Sequence, residues 1–152
     1  MNKYFIRSAR IEDLPELIEL LADDELGRQR DPVAHPLPYF YINAFNAIAV
    51  DERNDIVVIE HDGRVIAMLQ MTFIPGLTHQ GGERAQIEGV RVASDYRTQG
   101  VGRFLIDQVI ERAQERGCRM VQLTTDKRRP NAHRFYDSLG FEPSHEGMKL
   151  RL

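Results

Sequence analysis

A chain of 152 residues, 42% hydrophobic and 28% charged, fits one soluble globular domain able to bury a full core. A net charge of −3 gives no electrostatic case for nucleic-acid binding, and the one basic run, Lys127-Arg128-Arg129, has the make-up of a solvated loop. The single cysteine, Cys118, excludes an internal disulfide and a cysteine-rich zinc site, and the five histidines form no H-x-x-x-H pair, so no metal is expected.

Tyr4 to Arg7 reads as a first strand. Asp13 is an expected helix N-cap, with Pro15 near N1, and Leu14, Leu17, Ile18 and Leu21 follow at i, i+3, i+4, i+7. That helix should fray in the acidic run Asp23-Asp24-Glu25. Residues 27–38 read as irregular, and a helix is expected from Tyr39 to Val50. Its aromatics, Tyr39, Phe40, Tyr41 and Phe45, suit either core or pocket lining. Asp55 to Glu60 and Val65 to Ile74 are strands joined through Asp62-Gly63, a hairpin signal. A polar loop, 79–83, leads into the strand Arg84 to Ala93, where Gly89 marks a bulge or a close backbone approach. A helix follows from Val101 to Arg116, with Gly117 as its C′ residue. Next is the strand Met120 to Thr125, which the crossover helix sets parallel to Arg84–Ala93. A last helix opens at Pro130 and stops at Gly140, and Phe141 with Met148-Lys149-Leu150 supplies the closing strand or strands. The order is α/β with a sheet of mixed direction in a single domain, 1–152. The N-terminus lacks the apolar core of a secretory leader and no apolar run approaches a membrane span. A soluble cytoplasmic protein with no membrane or nucleic-acid partner is expected.

The stretch Arg97-Thr98-Gln99-Gly100-Val101-Gly102 joins a strand to a helix with glycines at the helix start. The first N–H groups of a helix lack intrahelical acceptors and lie at the positive end of its dipole, which suits a phosphate or diphosphate. Glycine lets a ligand approach the backbone, and Arg97 could add a side-chain contact. The same six residues read equally well as a tight turn. They match neither G-x-G-x-x-G nor a Walker A loop.

The run from Val90 to Gly102 resembles the acetyl-CoA-binding motif of the GNAT superfamily of N-acetyltransferases. Asn131-Ala132-His133-Arg134-Phe135-Tyr136-Asp137-Ser138-Leu139-Gly140-Phe141 resembles that family's second signature, N-A-x-x-F-Y-x-x-L-G-F. The start, Ile6 to Ala9 with Asp13-Leu14, is also similar, so the resemblance covers essentially the whole chain. It implies a splayed central sheet of six to seven strands flanked by about four helices. It implies acetyl-CoA as cosubstrate, no metal, and a homodimer. Val90, Arg91 and Val92 would pair with the pantetheine arm like an added strand. Arg97, Thr98, Gln99, Gly100, Val101, Gly102 and Arg103 would hold the diphosphate, and Asn131 would reach the cofactor arm. Thr98 stands where family members often carry Gly, which is tolerated if its φ is ordinary.

The implied reaction is acyl transfer from a thioester to an amine of a small molecule or peptide. An amine of pKa about 10.4 is mostly protonated at pH 7, and only its neutral form attacks, a handicap of roughly 4–5 kcal/mol. A base and an acid for the departing thiolate are therefore needed. Tyr136 matches the family's acid, though its place on an apolar stripe also fits a core tyrosine. Glu88, beside Gly89, is the candidate base, directly or through water, and reads equally as an exposed strand-end carboxylate. Arg28, Arg30, His35, Tyr39, Tyr41, His79 and Asp126 are candidate acceptor contacts that select no particular amine. The alternative is a non-catalytic acyl-CoA-binding regulatory or interaction module on the same fold.

Overall fold

A computed structural model of the chain describes residues 3–152. The chain divides into two compact units, one ending at Gln122 and one spanning Leu123–Leu152. The first holds β1 (Phe5–Ser8), a 3₁₀ turn (Ile11–Asp13), α1 (Leu14–Leu21), α2 (Glu25–Arg30), α3 (Tyr39–Ala49), β2 (Asn54–His61) and β3 (Arg64–Ile74). It continues through α4 (Thr78–Gly81), β4 (Arg84–Val92), a 3₁₀ turn (Ser94–Tyr96) and α5 (Val101–Glu115) into β5 (Met120–Leu123). The second holds α6 (Pro130–Ser138).

The sheet order is β1-β2-β3-β4-β5, with β1 to β4 antiparallel in succession. Arg119 N donates to Glu83 O at 2.8 Å, and Gln122 Nε2 donates to Gln86 Oε1 at 2.6 Å. An equal advance along both chains is parallel register, so the sheet is mixed as expected.

Its five strands, among the described residues, replace the expected six to seven. The closing strand at Phe141 and Met148–Leu150 is not formed. Met148, Leu150 and Leu152 keep the period-two pattern but are 94%, 89% and 117% exposed. Alternation makes a strand only where an edge takes up its backbone groups and apolar face.

Six helical segments among the described residues replace the expected four or so. The acidic run read as fraying is a cap: Gly27 N donates to Asp24 Oδ1 at 2.5 Å and starts α2. A Cβ on Gly27 would lie 1.9 Å from Leu21 O, so only glycine lets α2 turn this tightly against the end of α1. The segment α4 is a turn with left-handed His79 and Gln80, at φ 53° and 59°.

α1 packs on β3 and β4, α3 on β2, and α5 on β3 and β4. Met68 joins the α1 cluster with Leu14, Leu17, Ile18 and Leu20, whereas Phe73 lies 4.0 Å beneath the Arg116 guanidinium of α5. An odd separation puts these two on opposite faces, so α1 and α5 cover the sheet from either side. Leu105, Ile106, Val109 and Ala113 of α5 are fully buried. Arg112 holds Asp55 at 2.5 Å and Arg116 holds Glu83 at 2.5 Å, fastening the helix rim to the strand ends. Of the α3 aromatics, only Phe45 is buried, and Tyr39 and Phe40 are 72% and 64% exposed. Cys118 is half-buried; burial first, then the Glu83 carboxylate, raise its thiol pKa, consistent with an inert thiol.

Asp13 does not cap α1 as expected. Its carboxylate accepts from Arg7 Nη1 and Nη2 at 2.7 and 2.9 Å and from Arg10 N at 2.6 Å. It is the one buried charged residue among those described. The Arg7 hydrogen bond holds the Asp13 carboxyl below the usual range against desolvation. A depressed carboxyl stabilises the fold above the unfolded pKa and stops doing so as pH falls through the folded one. Asp13→Asn should therefore cost roughly 2–3 kcal/mol at pH 7. In thermal melts the gap between wild type and variant should shrink as pH drops below about 4; a gap constant down to pH 2 would rule this ion pair out as the cause.

Candidate functional site

The N-terminus of α5 is the centre of the site. Gly100, at φ 82°, is its N-cap residue and brings no side chain, and no acidic residue lies in the first turn. The first intrahelical bond is Phe104 N to Gly100 O, at 3.0 Å. The amides of Val101 and Gly102 precede it and have no acceptor within the helix. A 15-residue helix places its dipole behind them. A Cβ on Gly100 would meet nothing within 4 Å, so the glycine is there for its left-handed backbone.

Thr98 is left-handed too, at φ 60°. The condition of an ordinary φ, at the position where family members often carry Gly, is therefore not met. The hydroxyl donates to Arg97 O at 2.6 Å, which ties down the turn locally. Gln99 Nε2 donates to Asp95 O at 2.8 Å. Arg64 grips Asp95 at 2.7 Å and holds its carboxyl below the ordinary range.

β4 carries the bulge that Gly89 signals. Met68 faces Arg91 and Gln70 faces Glu88, so Leu69 opposes two residues, Gly89 and Val90. Gly89 has φ 60°, with the nearest atom to its would-be Cβ 3.9 Å away, so conformation again demands the glycine. Ala93 N donates to Ile66 O at 2.8 Å, making Ala93 and Ile66 a hydrogen-bonded pair. Val92 and Ala67 are then a non-bonded pair, and Val92 turns its own N–H and C=O away from β3. By the same alternation Arg91 faces β3 and Val90 faces the outer edge. On that edge Arg91 Nη1 reaches Val90 O at 2.8 Å, and Arg97 Nε reaches Val92 O at 3.0 Å. β5 is four residues long, and the parallel register sets Gln122 beside Gln86, short of Val90 and Val92.

Glu88 is exposed, at the start of the bulge and opposite Gln70. Arg97 points its guanidinium back at Asp23: Nη2 donates to Asp23 O at 2.7 Å and lies 3.4 Å from Oδ2. Asp23 is the residue that sequence reading missed. It stands 71 positions from Ser94, whose amide it accepts at 2.8 Å, and no local spacing announces such a pair.

The Leu123–Leu152 unit carries Asn131 and Tyr136. Asn131 Oδ1 accepts from Arg134. Tyr136 is half-buried, its ring 5.2 Å from Phe135 and edge-on to Phe141 at 5.7 Å. Phe141 N donates to Tyr136 O at 3.1 Å, fixing the helix end that carries the phenol. Asp126 is clasped by Arg128 and held far below the ordinary carboxyl range. Among the acceptor candidates, Arg30 pairs with Asp31 at 2.6 Å, and Tyr41 donates to Asp31 at 3.3 Å. Arg28, His35, Tyr39 and His79 are exposed. Among the described residues no group of three or more His, Cys, Asp or Glu could hold a metal, and no helix is long and apolar enough to cross a membrane.

This combination of an uncapped helix start, a bulged strand and an outer edge with outward carbonyls belongs to a known class of fold. The sequence profile of the acetyltransferase (GNAT) family matches residues 14–141, and the chain is a member of that family. A crystal structure of a transcriptional regulator from Bacillus halodurans superposes with a TM-score of 0.95 at 50% identity, over 98% of this chain and 99% of that one. An uncharacterized N-acetyltransferase of Methanocaldococcus jannaschii is 27% identical over 93% of this chain. The glucosamine 6-phosphate N-acetyltransferase of Trypanosoma brucei brucei is 33% identical over 59% of it. The chain spans 62% and 59% of the lengths of these two relatives.

Two positions with positive φ should respond oppositely to substitution. A Cβ in that region costs roughly 1–2 kcal/mol. Gly100→Ala should thus lower Tm by about 2–8 °C in a chain of this size, whereas Thr98→Gly should leave it level or raise it slightly. Thermal melts of both variants read this directly; an unchanged Gly100→Ala melt would contradict the left-handed turn.

Proposed function

We propose that the protein transfers an acetyl group from acetyl-CoA to a primary amine, in a ternary complex and without a metal. The observation that carries the reading is the α5 N-terminus. The Val101 and Gly102 amides lack helical acceptors, the N-cap residue brings no capping side chain, and both amides follow two left-handed residues, Thr98 and Gly100. Such a set fits a diphosphate, with each charge-assisted bond contributing about 1.5–3 kcal/mol. The outward N–H and C=O of Val90 and Val92 fit the amides of a pantetheine arm laid along β4 as a further strand. Asn131 is assigned to the cofactor arm by family resemblance.

In the reaction the amine nitrogen bonds to the thioester carbonyl carbon and the carbon–sulfur bond breaks. One proton leaves the nitrogen and one reaches the sulfur. Glu88 is assigned the first, directly or through water: its exposure at the bulge leaves it open to solvent and an incoming amine. Tyr136 is assigned the second, its ring position set by Phe135 and Phe141. The acceptor is a small-molecule or peptide amine, and the trypanosomal relative puts phosphorylated amino sugars in the first panel. A cytoplasmic homodimer is the expected setting.

A second reading has one specific support: the 50%-identical structure is described as a transcriptional regulator. On that reading the chain binds an acyl-CoA without turning it over. Thiol release from acetyl-CoA against polyamines, amino acids, aminoglycosides, amino-sugar phosphates and peptide N-termini separates the two. Turnover with any of these establishes the enzyme, and calorimetric CoA binding with no turnover on the whole panel favours the module. For the enzyme, Tyr136→Phe should lower kcat at least tenfold with CoA affinity little changed, and Glu88→Gln should alter the pH–rate profile. Full activity in Tyr136→Phe would remove that residue from the chemistry.

A further inference from the structure

Asp23 and Asp24 are neighbours that serve two different elements. Asp24 caps α2 through Gly27 N. Asp23 does the same for the 3₁₀ turn Ser94–Tyr96, whose N-cap residue, Ala93, has no polar side chain: Asp23 Oδ2 accepts Ser94 N at 2.8 Å. The Asp23 carbonyl takes Arg97 Nη2 at 2.7 Å, while Arg97 Nε holds Val92 O at 3.0 Å. An isolated surface ion pair is worth little. Here several bonds converge, two of them to backbone carbonyls, and they bracket Val92 to Arg97, the segment that leads into Thr98 and Gly100.

We infer that Asp23 is a positioning residue: acting through Arg97 and the Ser94 amide, it sets the turn before α5 and ties the state of that turn to α2. Arg97 is then a strut whose charge is answered by Asp23, and the anion is held by the α5 amides. This inference rests on the cofactor reading of the turn. It makes Asp23, which touches no cofactor, as important for CoA binding as Arg97.

The test uses CoA itself as the probe, with calorimetry for affinity and amide hydrogen exchange over residues 25–31. Asp23→Ala, which removes the acceptor of the Ser94 amide together with the charge facing Arg97, and Arg97→Ala should each weaken CoA by about tenfold, and the double variant by no more than the larger single effect. Arg97→Lys should not rescue, because an ammonium lacks the fork that spans Val92 O and Asp23 O. CoA should slow exchange of the Gly27, Arg28 and Asp31 amides in wild type and not in Asp23→Ala, with exchange of β3 amides alike in both as the control for folding. Unchanged or tighter CoA binding in Asp23→Ala, with weaker binding in Arg97→Ala, would make Arg97 a direct phosphate ligand and overturn the strut. Additive losses, or CoA protection of α2 that survives Asp23→Ala, would overturn the coupling. Absence of CoA binding to wild type would instead overturn the cofactor reading, and the strut with it.

Discussion

The decisive constraint is on β4, which must satisfy two edges at once. Buried or half-buried backbone groups need partners. On its inner edge β4 pairs with β3 along its length, apart from the step at Gly89. On its outer edge β5 serves only the first half, because that strand is four residues against nine. Val90 and Val92 therefore present polar groups where the sheet stops supplying partners. Arg91 and Arg97 reach their carbonyls. A carbonyl has two lone pairs, so an arginine contact on one leaves capacity for an incoming N–H on the other. The edge is thereby kept from pairing indiscriminately, and under the proposed cofactor role it would accept a strand-like ligand.

Why arginine holds this edge follows from shape. Its donors lie in one plane and point in fixed directions, so a single Arg97 can address Val92 O with Nε and Asp23 with Nη2. Lysine offers one flexible point charge and would have to choose. Asp23 stands opposite the Arg97 charge, and the N-terminal amides and dipole of α5 add positive potential at the turn.

Strands β1 to β5 and helices α1, α3, α5 and α6 were legible because periodicity and punctuation agree there, whereas α2 and the left-handed turn α4 were not. The stripe of α1, the Asp62-Gly63 hairpin, the Gly89 bulge and the α5 face all follow from local chemistry. The missed features rest on side-chain bonds and strand pairings that periodicity does not report. Asp13 looks like a cap by position, but Arg7 and the Arg10 amide claim its carboxylate. Asp24 looks like part of a frayed end, but its bond to Gly27 N begins a helix. Met148, Leu150 and Leu152 look like a strand, but a strand is a relation between two chains of backbone, and their pattern describes only one. At the site, the turn and bulge were visible through glycine. Asp23 was not, since its partners lie on the far side of the sheet's connectivity.

Thr98 shows how family pattern and chain physics divide the work. Glycine at that position would adopt φ 60° without steric cost. Threonine adopts it here at a cost, partly offset by the bond from its hydroxyl to Arg97 O. That bond also engages the carbonyl of the residue whose side chain spans Val92 and Asp23. Backbone and guanidinium of Arg97 are thus restrained from two directions, one by its neighbour and one by α1's end. A strained residue persists only where its surroundings over-determine it, and the convergence of Thr98, Asp23 and Val92 on Arg97 supplies that surplus of constraint. The turn is consequently restrained by its own contacts, which under the proposed cofactor role would lower the ordering cost of binding.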